Sequence, residues 1–131
     1  MAELMRIANP IPAAGPRYAT EDLEFAGVEI CKGEALTGSL LSANYDPRVF
    51  SDPERCDVER ELKPGQSHLA YGAGPHYCTG AALANIEGEI AIKHLMLERD
   101  TLEVTVSRDA LKYTEATPGG ARLLNALPVR L

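Results

Sequence analysis

Cysteine is sparse: Cys31, Cys56 and Cys78 are odd in number and share no CxxC spacing, which argues against a disulfide framework and against a cysteine-rich zinc module. Positive charge is also in short supply, with 13 basic against 19 acidic residues and a formal net charge of −6. Such a chain has no sequence-independent grip on a phosphate backbone, so no nucleic-acid partner is expected. The N-terminus offers no basic-then-apolar leader. Glu3 and Arg6 fall within six residues, and Pro10 and Pro12 follow, which fits neither a secretory signal nor a membrane span. A cytoplasmic protein without a membrane partner is expected. Internal repeats and low-complexity tracts are absent as well. What remains is 131 residues, 45% hydrophobic and 24% charged, the balance of one globular unit over residues 1–131 with a core too small to divide in two.

A second shortage is local. Between Pro64 and Ile86 there is no Asp, Glu, Lys or Arg. The stretch is long enough to span a bilayer, yet Gly65, Gly72, Gly74, Gly80, two prolines, Gln66, Ser67 and two histidines make it too polar and broken to do so. It reads as an ordered loop facing something uncharged.

The flanking segments carry recognisable periodicities. Met1 to Ala8 has helix-forming residues and ends where Pro10 disfavours helical geometry at Asn9. Leu23, Phe25, Val28 and Ile30 alternate around Ala26-Gly27 and predict a hairpin. Glu34 to Ser42 is apolar but mixed, and Asn44, Asp46-Pro47, Asp52-Pro53 and Pro64 then punctuate an irregular, well-packed stretch. After Gly80, Leu83, Ile86, Ile90 and Leu97 recur at helical spacings and predict the longest helix, with Leu83, Ile86 and Ile90 in the core. Asn85, Glu89 and Lys93 form its expected solvated stripe, Glu89 and Lys93 being four apart in the favourable order. Leu102–Val106 and Leu123–Leu131 read as strands, with a turn at Pro118-Gly119-Gly120. The predicted class is α+β, mainly helical with small β-sheets.

Chemistry concentrates in Tyr71-Gly72-Ala73-Gly74-Pro75-His76-Tyr77-Cys78-Thr79-Gly80, immediately before the long helix. Cys78 falls at the helix N-terminus, where free NH groups and the positive dipole end favour a thiolate. Glycines at 72, 74 and 80 clear the approach for a large flat ligand. The pattern aromatic-Gly-x-Gly-x-His-x-Cys-x-Gly resembles the haem-binding loop of the cytochromes P-450, the haem-thiolate monooxygenases. The likeness runs along the chain in order. Glu3-Leu4-Met5-Arg6 resembles the family's ExxR helix, Ala43-Asn44-Tyr45-Asp46-Pro47 with Phe50, Asp52, Pro53 and Arg55 resembles the meander, and Gly80-Ala81-Ala82-Leu83-Ala84 follows the cysteine as in actinobacterial-type members.

The resemblance implies haem b (iron protoporphyrin IX) with Cys78 as the metal ligand and catalytic residue. It implies Arg17 and His76 as propionate partners, and Tyr71, Gly72 and Gly80 as further cofactor-binding positions. Glu3 and Arg6 would form a buried network whose third member is assigned to Arg55, with Arg60 as the alternative. A ferredoxin or flavoprotein would deliver electrons, and a small organic molecule would be oxidised. The family's oxygen-activating acid and alcohol pair lies before the ExxR helix, so the chain matches the C-terminal part of the fold with the upstream portion absent. The pocket would be lined by Pro12–Ala14 and Thr114–Gly119. The expected partners therefore include a complementary upstream chain.

Several positions depart from the family pattern. Tyr71 replaces a phenylalanine, Thr79 a common leucine, and Tyr45 and Asn85 common arginines, the last two placing donor docking in question. A buried Tyr71 hydroxyl would need a partner. Cys31 and Cys56 read as small buried apolar residues. Alternative readings are a non-catalytic haem-binding relic and a haem-free interaction domain with zinc at His76 and Cys78, the latter short of tetrahedral ligands.

Overall fold

The computed structural model describes residues 1–98, 101–114, 120–121 and 123–130. A short helix, α1 (Ala2–Ile7), opens the chain with Glu3 in its first turn and Arg6 in its last, each charge suited to its end of the helix dipole. It leaves helical geometry at Ala8, ahead of Pro10. β1 (Arg17–Tyr18) pairs with β4 (Ala35–Leu36), setting Arg17 opposite Leu36. Between them, β2 (Leu23–Phe25) and β3 (Val28–Ile30) form the predicted hairpin. Its two central residues, Ala26 and Gly27, both adopt positive φ, 52° and 81°. That geometry matches the twist of a two-residue hairpin, and glycine takes the more extreme angle without a Cβ penalty.

The mixed stretch from Glu34 to Ser42 resolves into β4 and the start of α2 (Leu40–Asn44). Sequence periodicity hides this helix because it is barely a turn long. Ser39 starts it, its Oγ accepting the Ser42 NH at 3.1 Å. From Tyr45 to Ala73 the chain forms neither helix nor strand, and its packing centres on one side chain. Arg6, Asn44 and Phe50 are the largest fully buried residues. Arg6 Nη1 donates to the carbonyls of Asn44 and Pro53 at 2.8 Å each, and Nη2 to that of Arg55 at 3.2 Å. The guanidinium also lies 5.1 Å from the Phe50 ring centroid and 5.5 Å from that of Tyr45. An irregular backbone leaves some carbonyls without a main-chain donor, and here a buried arginine donates to three of them.

The long helix is α3 (Ala81–Ile92), continued by a π-helical segment over Lys93–Leu97. Its apolar stripe does not form a core in this chain. Leu83, Ile86, Ile90 and Leu97 are 60, 56, 52 and 77% exposed, because no other described element packs against that side. The inward face is instead Ala81, Asn85, Gly88 and Ile92, spaced four, three and four apart. Small residues there permit close approach: a Cβ at Gly88 would lie 2.5 Å from the Met1 Cε. Asn85 thus belongs to the packed side and not to the solvated stripe. Nor do Glu89 and Lys93 pair; Lys93 Nζ lies 4.0 Å from Glu98, which also bonds His94.

A third antiparallel pair joins β5 (Glu103–Val104) to β6 (Val129–Arg130), both shorter than the expected strands, with an added bridge between Tyr113 and Leu124. Residues 115–119 of the expected pocket-lining turn lie outside the described residues. The architecture is mixed helix and small sheets.

Candidate functional site

Two clusters of predicted residues come together in space. In the first, Glu3 accepts two hydrogen bonds from Arg6, Nη2 at 2.7 Å and Nε at 2.8 Å. It also accepts the Asp57 NH at 3.0 Å and Arg60 Nε at 3.1 Å. These donors, the Arg6 bonds foremost, hold the Glu3 carboxyl down at about 2 against the opposing effect of burial. The third charged member is therefore Arg60, whose guanidinium also reaches the carbonyls of Ser51, Asp52 and Arg55. The assignment to Arg55 is corrected: its side chain is exposed, and it enters the network only through its carbonyl. Arg60, five residues further on, reaches back to Glu3, a contact that chain position alone does not disclose.

The second cluster is the cysteine loop. Gly72 and Gly74 take φ of +72° and +73°, the left-handed turns that the glycines were expected to allow. The Gly72 NH donates to the Leu69 carbonyl at 2.9 Å, and the Cys78 NH donates back to the Tyr71 carbonyl at 3.0 Å, closing the loop. Cys78 then heads α3, its carbonyl accepting the Ala81 NH at 3.2 Å. Cys78 is exposed and free, and so are Cys31 and Cys56, which lie at the surface and not, as expected, in the core. The NH groups of Thr79 and Gly80 have no acceptor among the described residues. Beyond Gly74 an added Cβ would meet nothing within 4 Å, and at Gly80 only the Cys78 Sγ at 3.8 Å. An exposed cysteine, free NH donors beside it, open space over the glycines and no Asp, Glu, Lys or Arg from 64 to 86 fit a flat, thiolate-held cofactor.

Tyr71 sits at the centre of this loop. It is 8% exposed, with its ring against His68 at 5.7 Å and edge-on to Tyr77 at 6.1 Å between centroids. Its hydroxyl finds the partner it requires, donating to Asn85 Oδ1 at 3.0 Å. Burial pushes its pKa up. His68 accepts the Ala70 NH on Nδ1 at 3.2 Å, and burial pushes its pKa down. Arg17, on β1, and His76, in the short 3₁₀ turn Gly74–His76, are both exposed, with no side-chain partner among the described residues.

The two clusters are joined through Asn44. Its carbonyl accepts from Arg6, and its Oδ1 accepts the Leu69 NH at 2.7 Å, two residues before Tyr71. Sequence reading placed Asn44 only within a motif; its link to the loop is long-range and leaves no local signal. Among the described residues no three His, Cys, Asp or Glu side chains converge, so the tetrahedral set that zinc would need is not assembled. No described helix is long and apolar enough to cross a membrane.

Comparison with known proteins places this geometry. The family model described as "Cytochrome P450" matches residues 1–120. The vitamin D(3) 25-hydroxylase of Pseudonocardia autotrophica is 36% identical over 129 residues, covering 98% of this chain and 31% of that protein. Among solved structures, the Bacillus subtilis 168 bacillaene polyketide synthase cytochrome P450 PksS superposes with a TM-score of 0.87 at 34% identity, over 98% of this chain and 32% of that one. P450BioI, solved in complex with an acyl carrier protein, superposes with a TM-score of 0.82, likewise at 34% identity, over 98% and 31%. The chain spans about a third of the length of the curated relatives it matches.

Proposed function

The chain belongs to the cytochrome P450 family, whose members bind haem b, and from that premise we propose that it supplies the haem-ligating side of a monooxygenase with Cys78 as the thiolate ligand. The observation that carries the reading is the exposed Cys78 at the head of α3, inside a loop whose glycines leave open space. Bound there, the cofactor would supply oxygen activation, to which a thiolate ligand contributes by donating electron density that favours O–O cleavage. The chain's own part is to hold the sulfur and set its charge. The free NH groups of Thr79 and Gly80, with the N-terminal dipole of α3, draw negative charge from it. Gly72 keeps the turn that returns the chain to Cys78, and Tyr71 walls the loop. Arg17 and His76, both exposed and without a side-chain partner among the described residues, would hold the propionates of the macrocycle. Glu3, Arg6 and Arg60 brace the meander behind the loop.

The apolar stripe of α3 supports a further part of this reading. Leu83, Ile86 and Ile90 are each more than half exposed, and the chain covers about a third of its relatives. We propose that the stripe is covered by the part of the fold that the relatives carry beyond the matched region, and that turnover requires it. A small organic substrate would then be oxidised with electrons from a ferredoxin or flavoprotein.

The test is a reduced, carbon monoxide-bound optical spectrum of the chain supplied with haem, beside Cys78→Ser. The parent is expected to give the red-shifted Soret band of thiolate ligation and the variant to lack it. Identical spectra from the two proteins would refute Cys78 as the ligand.

A further inference from the structure

Tyr71 and Asn85 are joined in a way that the site reading leaves unused. Tyr71 is bound at both of its ends. Its carbonyl takes the Cys78 NH at 3.0 Å, and its hydroxyl donates to Asn85 Oδ1 at 3.0 Å. Asn85 stands on the inward face of α3, four residues after Ala81, on the same helix that Cys78 heads. One buried side chain therefore spans from the cysteine's main chain to the helix body.

We propose that the Tyr71–Asn85 hydrogen bond is a tether that fixes the cysteine loop against α3, making both side chains positioning residues for the Cys78 sulfur; the proposal rests on the haem-thiolate reading for its purpose. The physical case has three parts. A phenol buried to this depth without an acceptor is destabilised, so the hydroxyl is anchored where Asn85 is, and nowhere else among the described residues. Edge contact with Tyr77 and the tilted contact with His68 restrict the ring from two other sides, so the phenol acts as a rigid strut. Because the strut ends in the carbonyl that holds the Cys78 NH, any drift of the hydroxyl is passed to the backbone at the sulfur.

The tether is tested in the haem-free 131-residue chain by amide hydrogen exchange at Cys78, with the Ala84 NH of α3 as internal reference. Tyr71→Phe keeps the ring and removes the hydroxyl; Asn85→Ala removes the acceptor; Asn85→Asp keeps an acceptor. Each of the first two is expected to speed Cys78 exchange about fivefold to tenfold relative to Ala84, the scale of one hydrogen bond. The double variant should go no further than either single one, and Asn85→Asp should stay near the parent. Unchanged Cys78 exchange in Tyr71→Phe, additive effects in the double variant, equal acceleration at Ala84, no rescue by Asn85→Asp, or an unprotected Cys78 NH in the parent would each overturn the proposal. The haem reading fails separately. Protected Cys78 exchange with no thiolate band sinks the ligand assignment and leaves the tether, and a thiolate band with unaltered exchange in Tyr71→Phe does the reverse.

Discussion

Protonating Glu3 takes away the shared acceptor of two arginines, and the cost can be worked from its titration. The carboxyl is held at about 2 in the fold against an ordinary 4.5. At about 1.36 kcal/mol per pH unit, that gap is worth at most about 3.4 kcal/mol. The sign follows from the lowered value: the contribution is complete above about pH 4.5 and is lost as pH falls toward 2. At pH 3, where an unfolded carboxyl is mostly protonated and the native one is not, about 2 kcal/mol of it is gone. An adjoining cavity lined by Glu3, Arg60 and His68 admits solvent and screens the charges, so about 1–2 kcal/mol is expected in practice. The assay is urea unfolding followed by circular dichroism at pH 7 and pH 3, for the parent and for Glu3→Gln. The parent should lose about 1–2 kcal/mol more than the variant between the two pH values. Asp46, lowered to about 2 chiefly by its hydrogen bonds from Arg48, titrates in both proteins and cancels. Should Glu3→Gln fail to fold, Arg60→Gln removes one of the donors and should shrink the same difference. Equal pH dependence in parent and variant would refute the claim that the Glu3 charge is held by these arginines.

Three other perturbations probe the same framework. Phe50, 1% exposed beneath the Arg6 guanidinium, should cost about 3–5 kcal/mol as Phe50→Ala, read as a lower urea midpoint. Asn44→Ala removes the acceptor for the Leu69 NH and should cost about 1–3 kcal/mol, with the Leu69 amide losing protection in hydrogen exchange while the hairpin amides keep theirs. Gly27→Ala places a Cβ at φ +81° and should cost about 1 kcal/mol, most of it confined to the hairpin and visible as faster exchange of the amides between β2 and β3.

What the sequence disclosed is what short-range physics writes into it. The opening helix, the Ala26-Gly27 hairpin, the helix after Gly80 and the Glu3–Arg6 pair all depend on neighbours within a few residues, and all are present. The cysteine loop was legible for the same reason, since its glycines announce left-handed turns. The remainder depends on what meets what. Periodicity in α3 reports that a face is apolar, and only the fold reports what covers it; Leu83, Ile86 and Ile90 lie open while the small residues Ala81 and Gly88 face inward. Arg55 and Arg60 are equally good candidates by composition, and only the path of an irregular chain brings Arg60 to Glu3. Tyr71 and Asn85 each look like an isolated departure in sequence, yet they are bonded to each other.

The grip of Arg6 on the meander has a consequence for how this segment tolerates change. It is main-chain oxygens of Asn44, Pro53 and Arg55 that the guanidinium holds. Recognition of that kind is blind to residue type, so the identity of Arg55 is free to drift under mutation so long as the peptide path is kept. The burden of preservation falls on the arginine that reads the backbone, and a position read only through its main chain, as Arg55 is, is left with latitude to diversify.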